Sequence, residues 1–228
     1  MAQKISRKKL LKEPDEFMTL SSRLIQWATD HKQYVATTAI GILAVVIVAI
    51  GIHAYIRSAN NKASALLAQS VTQYEAAMKA DKDPVKAYQA VEKSFSQIVA
   101  HYSGRRMGQV AGVEFADICF KAGQYDRAIS LYQSALKTFD DMPFYKNMVL
   151  NGLGYAYEEK KDYPNAIKYF DMLNTSPDAS QKDMSLFNLA SIYEKMGNKE
   201  KSKTLFAQIV AEFPNSIYTE IAKEKNIS

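Results

Sequence analysis

One uninterrupted apolar run, residues 34–56, constrains this chain more than any other feature. The run reads YVATTAIGILAVVIVAIGIHAYI, and no residue in it carries a full charge. As a helix rising about 1.5 Å per residue it would be roughly 34 Å long, which matches a hydrocarbon core of about 30 Å. Its edges carry the residues typical of membrane interfaces, namely Trp27, Lys32, Tyr34, Tyr55 and Arg57. The sequence therefore predicts a single membrane-spanning helix over residues 34–56.

A cleaved signal peptide is the alternative interpretation of this run. Residues 63–65, Ala-Ser-Ala, resemble a small-residue cleavage site. However, the run is longer than the roughly 7 to 15 apolar residues of a signal peptide, and a polar tail of 33 residues precedes it. These two observations favour an uncleaved anchor.

The distribution of charge predicts the orientation of the span. Residues 1–33 contain seven Lys or Arg residues, whereas the first twenty residues after the span contain two. Short segments rich in basic residues stay in the cytoplasm, and long domains are translocated largely regardless of their charge. We expect a cytoplasmic tail over residues 1–33 and a domain over residues 57–228 on the other side of the membrane.

The tail itself divides into two parts. Residues 1–12 hold five basic groups and no acidic group, which indicates either a patch for anionic lipid or a topology signal, and the topology signal alone explains the bias. After Pro14, apolar residues recur at helical spacing and predict an amphipathic helix on the inner leaflet, before the chain turns into the bilayer: Phe17, Leu20, Leu24, Trp27 and Ala28.

A seam of mostly small residues follows one face of the predicted span. It consists of Thr37, Gly41, Ala44, Val48 and Gly51. Such a seam lets a second helix approach closely, which would permit a homodimer or another helical partner, although glycine and alanine are common in spans in any case. His53 is interpreted as a polar anchor at the outer interface rather than a proton-linked site.

The region after residue 110 contains three copies of one pattern. The copies begin FADICFKAGQYDRAISLYQSA at Phe115, LGYAYEEKKDYPNAIKYFDML at Leu153 and LASIYEKMGNKEKSKTLFAQI at Leu189. In each copy one small residue follows another after twelve positions, and an aromatic residue comes four positions later; the sets are Ala116, Ala128 and Tyr132, then Gly154, Ala166 and Phe170, then Ala190, Ser202 and Phe206. Small residues permit close approach of two antiparallel helices, and the aromatic residues fill the space beside them. The pattern predicts helix hairpins.

This is the tetratricopeptide repeat pattern, L-G-x2-Y followed by A-x3-F and a later proline, with periods of 38 and 36 residues. The predicted turns are Ala122-Gly123-Gln124, Lys160-Lys161-Asp162 and Met196-Gly197-Asn198, and the units end near Pro143, Pro177 and Pro214. Cys119 stands where the pattern has tyrosine, so we interpret it as a packing residue. The predicted fold class is all-α: a single N-terminal transmembrane helix followed by a tetratricopeptide-repeat helical solenoid.

Weaker signals predict the two ends of the solenoid. Residues 58–80 contain good helix formers and no breaker, so the span should continue outward as a helix. Pro84 begins another helix, whose apolar stripe is Ala87, Val91, Phe95, Ile98 and Val99, and SFSQIVAHYSG from Ser94 parallels the last copy, with Phe95, Ile98 and Tyr102 in its packing positions. At the other end we expect a short capping helix that packs through Ile217, Ile221 and Ala222.

Charge and motif content disfavour several classes of function. Residues 63–228 hold twenty basic and twenty acidic residues, so long-range attraction to nucleic acid is weak despite the formal net charge of +5. A single cysteine excludes an intrachain disulfide framework and a four-thiolate zinc site. The three histidines are scattered, and no nucleophile, metal or phosphate-binding motif is present. We expect no enzyme activity, no catalytic residues, no cofactor and no metal.

Repeat solenoids usually bind partners through the concave wall made by the first helix of each pair. On those helices, residues opposite the packed small positions are predicted to line a protein-binding face: Asp117, Phe120, Lys121, Asn151, Tyr155, Glu158, Glu159, Ser191, Glu194 and Lys195. This surface mixes acidic and aromatic groups and suits an extended or helical protein segment with basic and apolar side chains. The alternative interpretation is an ordinary solvated surface, including for the acidic pair Glu158-Glu159.

A short basic tail, one span, an outward helix and a small helical-repeat domain together resemble the YfgM family of bacterial inner-membrane proteins. That resemblance implies an ancillary subunit of the Sec translocon, with a periplasmic domain beside emerging polypeptides and periplasmic chaperones. The last copy, ending F-x-Q-I-V-A-x-F-P-N-S, also looks like those of outer-membrane assembly factors, but the chain has no lipid-attachment cysteine near its N-terminus.

Two functions from different classes remain open. The first is a membrane-anchored module that binds translocon subunits, chaperones or client polypeptides. The second is a structural scaffold or assembly factor of an envelope complex, which would act through oligomerisation of its span and repeat domain.

Overall fold

The computed structural model describes residues 16–176 and 181–227, and these residues form helices without strands. The predicted all-α fold class is confirmed. In chain order the helices are α1 (Glu16–Asp30), α2 (Lys32–Asp81), α3 (Pro84–Tyr102), α4 (Arg106–Lys121), α5 (Tyr125–Thr138), α6 (Pro143–Glu159), α7 (Tyr163–Asn174), α8 (Lys182–Lys195), α9 (Lys199–Glu212) and α10 (Thr219–Ile227). The chain divides into two units, Met1–Arg57 and Ser58–Ser228.

In the first unit, the predicted span lies within α2. By length and composition, α2 is the one helix among the described residues that is long and apolar enough to cross a membrane. No residue in its most apolar part is buried within the protein. Since water or lipid must surround these side chains, their apolar character on all sides favours lipid.

The predicted amphipathic helix corresponds to α1, where Leu20, Leu24 and Trp27 are exposed. The expected turn between this helix and the span is limited to one residue, His31. The His31 backbone N–H donates to the Trp27 carbonyl, and the Val35 N–H donates to the His31 carbonyl, both at 3.0 Å. Helical hydrogen bonding therefore continues on both sides of His31. The predictions for residues 1–15 lie outside the described residues.

In the second unit, the last part of α2 pairs with α3, as the outward continuation of the helix predicts. The Ser70 hydroxyl donates to the Ser94 hydroxyl at 3.0 Å, and the Gln73 amide donates to the Ala90 carbonyl at 2.9 Å. Asp83 caps α3, because its carboxylate accepts from the Val85 N–H at 2.9 Å. Of the predicted stripe on α3, four members are buried and Val99 is half-buried: Ala87, Val91, Phe95 and Ile98.

Three helix hairpins follow, α4–α5, α6–α7 and α8–α9, and their packing confirms the predicted repeats. The paired small residues are all buried, as are Tyr132, Phe170 and Phe206. The approach is close at Gly154, where an added Cβ would lie 2.5 Å from the Phe170 ring. Cys119 is fully buried as predicted, and burial raises the pKa of its thiol to about 12.

The turns of the three hairpins share one backbone conformation. Gly123, Lys161 and Gly197 occupy equivalent positions and have φ values of 75°, 59° and 79°. In each turn the N–H of the next residue donates to a carbonyl five residues back, as from Gln124 to Cys119 at 2.8 Å. Glycine adopts this left-handed conformation without penalty, whereas Lys161 holds it at a cost of roughly 1 kcal/mol.

The residues that begin the second helices also share a conformation but differ in capping. Gln124, Asp162 and Asn198 have φ −84° and ψ values of 59°, 69° and 75°. Asp162 accepts from the Asn165 N–H at 3.3 Å, and Asn198 accepts from the Lys201 N–H at 3.2 Å. Gln124 makes no such side-chain bond. The first hairpin therefore lacks a cap that the other two have.

The predicted capping helix is present as α10, but its packing residues were predicted incorrectly in part. Ala222 is buried, whereas Ile217 is 82% exposed and precedes the helix, and Ile221 is 45% exposed. Tyr218 takes the packing role instead, because its ring stacks on Phe187 with centroids 4.6 Å apart.

The prolines mark the boundaries between units. Pro143 is the first residue of α6, and Pro214 follows α9. Pro177 lies outside the described residues.

Candidate functional site

The candidate site is the surface formed by the first helices of the three hairpins, α4, α6 and α8, which we call the inner face. At its C-terminal end, α6, α8 and α10 enclose a pocket of about 340 Å³. Five of the ten residues predicted from the sequence line this pocket: Tyr155, Glu158, Ser191, Glu194 and Lys195. The structure thus brings together residues from two repeats that the sequence places 36 positions apart.

The floor of the pocket is aromatic and hydrogen-bonded. The Asn188 side-chain amide donates to the Tyr155 hydroxyl at 3.0 Å. The Tyr155 ring meets the buried Phe170 ring edge-on, with centroids 5.3 Å apart. Phe187 and Ile221 add apolar surface to the lining. These contacts hold Tyr155 in place, so the pocket is formed without a ligand.

Two ion pairs lie along the rim of the pocket and join successive helices. Lys195 on α8 contacts Glu158 on α6 at 2.7 Å, and its hydrogen bond to that carboxylate raises the lysine pKa. Lys225 on α10 contacts both carboxylate oxygens of Glu194, at 2.8 and 3.0 Å. Each glutamate of the pocket is therefore neutralised by a lysine of the following inner helix.

The N-terminal end of the inner face is acidic. The Tyr132 hydroxyl donates to the Asp117 carboxylate. Burial raises the pKa of Asp117, although this hydrogen bond lowers it in part. Burial also raises the pKa of Glu114, and the nearby charges of Asp117 and Glu75 raise it further, while the Lys121 charge acts in the opposite direction. The environment of Asp117 and Glu114 therefore disfavours the charged forms of both carboxyl groups.

The remaining predicted residues lie elsewhere on the first helices. The Phe120 ring packs against Tyr125 at 5.6 Å, and the Tyr125 hydroxyl donates to Glu159 at 3.3 Å, so Phe120 and Glu159 lie at the turn end of the hairpins and do not line the pocket. The Asn151 side-chain oxygen is buried and accepts no hydrogen bond from the described residues.

Sequence reasoning missed several inner-face residues. Glu114 and Asn188 each lie three positions before a predicted residue, so helical spacing alone could have found them. Glu75 and Lys225 lie on α2 and α10 and meet the inner face only through the packing of helices, for which the sequence carries no signal. A second cavity of about 340 Å³, lined in part by Asp140 and Met172, contains no predicted residue.

The predicted seam of the span lies on an exposed part of α2. An added Cβ at Gly41 or Gly51 would meet no heavy atom within 4 Å. The Thr37 hydroxyl donates to the Gln33 carbonyl of its own helix at 2.9 Å, and Ala44 and Val48 are exposed. Binding by the seam and by the inner face stays a prediction.

The described residues contain no group of three or more His, Cys, Asp or Glu side chains arranged to hold a metal ion.

The helix hairpins stack on one another, and small residues lie where their helices approach most closely. This architecture defines a helical-repeat protein, a class of protein that presents extended binding surfaces.

Comparison with known families identifies the repeat. Residues 113–180 and residues 184–216 each match a tetratricopeptide repeat family. Over 154 residues the chain is 26% identical to "Uncharacterized protein ycf37" from Pyropia yezoensis, an alignment that covers 63% of this chain and 85% of that protein. The chain contains tetratricopeptide repeats, which in general form a non-catalytic module for protein–protein interaction.

Proposed function

We propose that the protein is anchored in a membrane by residues 34–56 and binds other proteins through its inner face. The observation that carries the proposal is the preformed pocket between α6, α8 and α10, whose lining combines exposed apolar surface with hydrogen-bonding groups. Such a combination is typical of sites that take an apolar side chain and fix the backbone around it. The exposure of the apolar part of α2 supports the anchor.

The finer proposal concerns compartment and partner. The basic tail favours an N-terminus in the cytoplasm, which puts the repeats on the far side of a bacterial inner membrane, in the periplasm. The resemblance to the YfgM family adds the Sec translocon, periplasmic chaperones or client polypeptides as partners. The near balance of charge after residue 62 supports protein partners over nucleic acid.

A reporter fused after residue 228 tests the orientation. A reporter that is active only in the periplasm should be active in this fusion, and one that is active only in the cytoplasm should be silent. The reverse pattern would overturn both the orientation and the periplasmic partners.

Site-specific photo-crosslinking tests the inner face. A photoreactive residue at Ser191, which lines the pocket, should form adducts with partner proteins, and a double change of Tyr155→Ala and Glu158→Lys should abolish them. Glu200 on α9 is the matched control, because it is exposed but lies on the second helix of its hairpin. Adducts that are equally abundant at Ser191 and Glu200, or unaffected by the double change, would contradict binding at the inner face.

The scaffold function rests on a different observation. None of the residues that the structure describes covers the seam at Gly41 and Gly51, so a second span is free to pack there. Cysteine introduced at Gly41 should form disulfide-linked dimers, whereas cysteine at Leu43, on another side of the helix, should not. Equal yields at both positions would argue against a specific dimer.

A further inference from the structure

Two cavities adjoin each other at the C-terminal end of the inner face. The larger is the pocket of about 340 Å³ between α6, α8 and α10, and the smaller, of about 100 Å³, lies between α8, α9 and α10. Glu194, Phe206 and Lys225 line both cavities. The ion pair between Glu194 and Lys225, at 2.8 Å, therefore borders both of them. One bound segment can occupy the two cavities together.

The charged groups that line the larger cavity compensate one another. Glu158 contacts Lys195 at 2.7 Å, and Glu194 contacts Lys225. Ile221 also lines this cavity and is 45% exposed. A charged group entering here would lose its water without meeting an unpaired partner, whereas a large apolar side chain would cover Ile221 and leave both ion pairs intact. The larger cavity therefore favours an apolar side chain.

The smaller cavity is basic. Its charged lining residues are three lysines and one glutamate, namely Lys199, Lys203, Lys225 and Glu194. Glu194 is paired with Lys225, and among the described residues neither Lys199 nor Lys203 forms an ion pair. Two positive charges of this lining are thus uncompensated, next to a cavity whose charges balance. Charge complementarity favours an acidic group here.

This inference rests on the proposed function and specifies the ligand of the same site. We infer that the C-terminal end of the inner face binds a partner segment with one large apolar side chain, seated in the larger cavity, and one aspartate or glutamate, which pairs with Lys199 and Lys203 at the smaller cavity. The acidic group differs from the basic one expected from the sequence. The reason is that these lysines lie on α9, outside the first helices on which that expectation was based.

The shared border limits the distance between the two side chains of the partner. Both cavities adjoin one ion pair, and α8 contributes to both. Neighbouring packed helices lie about 8–10 Å apart, so the two cavities are within about one helix spacing of each other. An extended segment advances about 3.3 Å per residue, and two residues cover about 7 Å. The apolar and acidic residues of the partner should therefore be one or two positions apart.

Disulfide exchange at an introduced cysteine tests the inference on the full chain in nonionic detergent micelles. Ser191→Cys puts a thiol in the lining of the larger cavity, while Cys119 is fully buried. Four reagents carry the amidated dipeptides Phe-Glu, Phe-Gln, Phe-Lys and Gly-Glu on the same disulfide linker, and mass spectrometry measures the modified fraction at equilibrium with 2-mercaptoethanol. Thr72→Cys is the matched control site, because Thr72 is exposed on α2 and, like Ser191, donates to a carbonyl of its own helix.

Two preferences are expected with Ser191→Cys. Phe-Glu should be favoured over Gly-Glu at least about tenfold, as for the burial of an aromatic side chain. Phe-Glu should also be favoured over Phe-Lys about fivefold, as for partly exposed ion pairs, with Phe-Gln between the two. With Thr72→Cys the four reagents should react within about twofold of one another, because neither cavity is in reach.

Further variants assign each preference to its cavity. Ile221→Asp should remove the preference for Phe-Glu over Gly-Glu. Lys199→Met combined with Lys203→Met should remove the preference for Phe-Glu over Phe-Lys and keep the other one. Lys223→Met is the control, because Lys223 pairs with Glu220 on α10 and lines neither cavity, so it should change neither preference.

The inference is overturned if either preference is absent with Ser191→Cys, if the double lysine change leaves the acidic preference intact, or if Lys223→Met has the same effect as that double change. Photo-crosslinking at Ser191 reports on partner binding independently of these reagents. Crosslinked adducts that persist alongside any of these results would leave the proposed function standing and refute only the apolar-plus-acidic ligand.

Discussion

Tyr132 packs its ring into the repeat core and donates a hydrogen bond from its hydroxyl to the inner face. The contribution of this hydrogen bond to stability can be measured. The ring is buried between hairpins, and the hydroxyl donates to the Asp117 carboxylate on α4. Replacing Tyr132 by Phe keeps the ring and creates almost no cavity. The change therefore isolates a single hydrogen bond to a partly buried charge.

The expected magnitude follows from the chemistry of that bond. A hydrogen bond to a charged group contributes about 1.5–3 kcal/mol, and its loss leaves a carboxylate without the donor that offsets its burial. For a domain of 150–250 residues, 1 kcal/mol corresponds to about 2–4 °C in Tm. Tyr132→Phe should lower Tm by about 3–12 °C at neutral pH.

The effect of pH has a definite sign. Burial raises the folded-state pKa of Asp117, and the Tyr132 hydroxyl lowers it, so Tyr132→Phe should raise this pKa further. Since protonation in the folded state removes the buried charge, the destabilisation by Tyr132→Phe should be fully developed above the folded pKa and shrink as pH falls below it.

A double-mutant cycle with Asp117→Asn provides the control. In the Asn background the bond joins two neutral groups, so Tyr132→Phe should cost only about 0.5–1.5 kcal/mol and show no pH dependence. Thermal unfolding of the full chain in detergent, followed by circular dichroism, gives the four Tm values; repeat arrays unfold with limited cooperativity, so Tm is the quantity to compare. Equal Tm losses in both backgrounds would refute a charge-assisted bond between Tyr132 and Asp117.

Three further predictions concern the repeat scaffold. Gln124→Asp supplies the cap that the first hairpin lacks and should raise stability by about 1 kcal/mol, seen as a higher Tm, whereas Gln124→Ala should leave Tm nearly unchanged; equal Tm values for both variants would contradict a missing cap. Because burial raises the pKa of the Cys119 thiol to about 12, iodoacetamide at pH 8 should label it only on unfolding, and rapid labelling of the folded chain would show that the thiol is accessible. Arg127 donates to the Ser96 hydroxyl at 2.7 Å, pairs with Glu92 and lies 4.8 Å above the Phe115 ring, so Arg127→Lys should lower stability by about 1–2 kcal/mol, and an unchanged Tm would show that the guanidinium geometry is not needed.

The hairpins were predictable because their signals are local and repeated. Each helix–helix contact has its own sequence pattern, which consists of a small residue, a second small residue twelve positions later and an aromatic residue four positions beyond that. Gly123 and Gly197 mark the left-handed turn position by residue type, whereas Lys161 is placed there only by its register with them. Repetition thus identified a turn that its own residue type does not indicate.

The capping helix shows where local signals fail. Ile217 and Ile221 satisfy helical spacing with Ala222, but α10 has nine residues and too little contact area for spacing to decide its orientation. The stacking of Tyr218 on Phe187 decides it instead. A contact between residues 31 positions apart is set by the stacking register of the hairpins, which spacing within one helix does not report.

The same limit explains the partial prediction of the inner face. Helical spacing on α6 and α8 found Tyr155, Glu158 and Lys195, which do line the pocket. The lysine that neutralises Glu194 comes from α10, and the glutamate beside Glu114 comes from α2. Which carboxylates are compensated therefore depends on pairs of helices, and the uneven distribution of charge along the inner face emerges only from the three-dimensional structure.

The three repeat copies have similar residues at the positions that pack helices together and different residues at the positions on the inner face. Positions equivalent to Ala116 are small in all three copies, and positions equivalent to Tyr132 are aromatic, because close helix packing permits little else. One residue along from each small position stand Asp117, Tyr155 and Ser191, three side chains with different chemistry on the same inner face. Helix packing does not require different side chains at these three positions. At Asp117 packing even opposes the residue type, because burial disfavours the charged form of the carboxyl group. The buried Tyr132 hydroxyl donates to this carboxylate and stabilises its charge, so Tyr132 contributes both to the packing of the repeats and to the chemistry of the inner face.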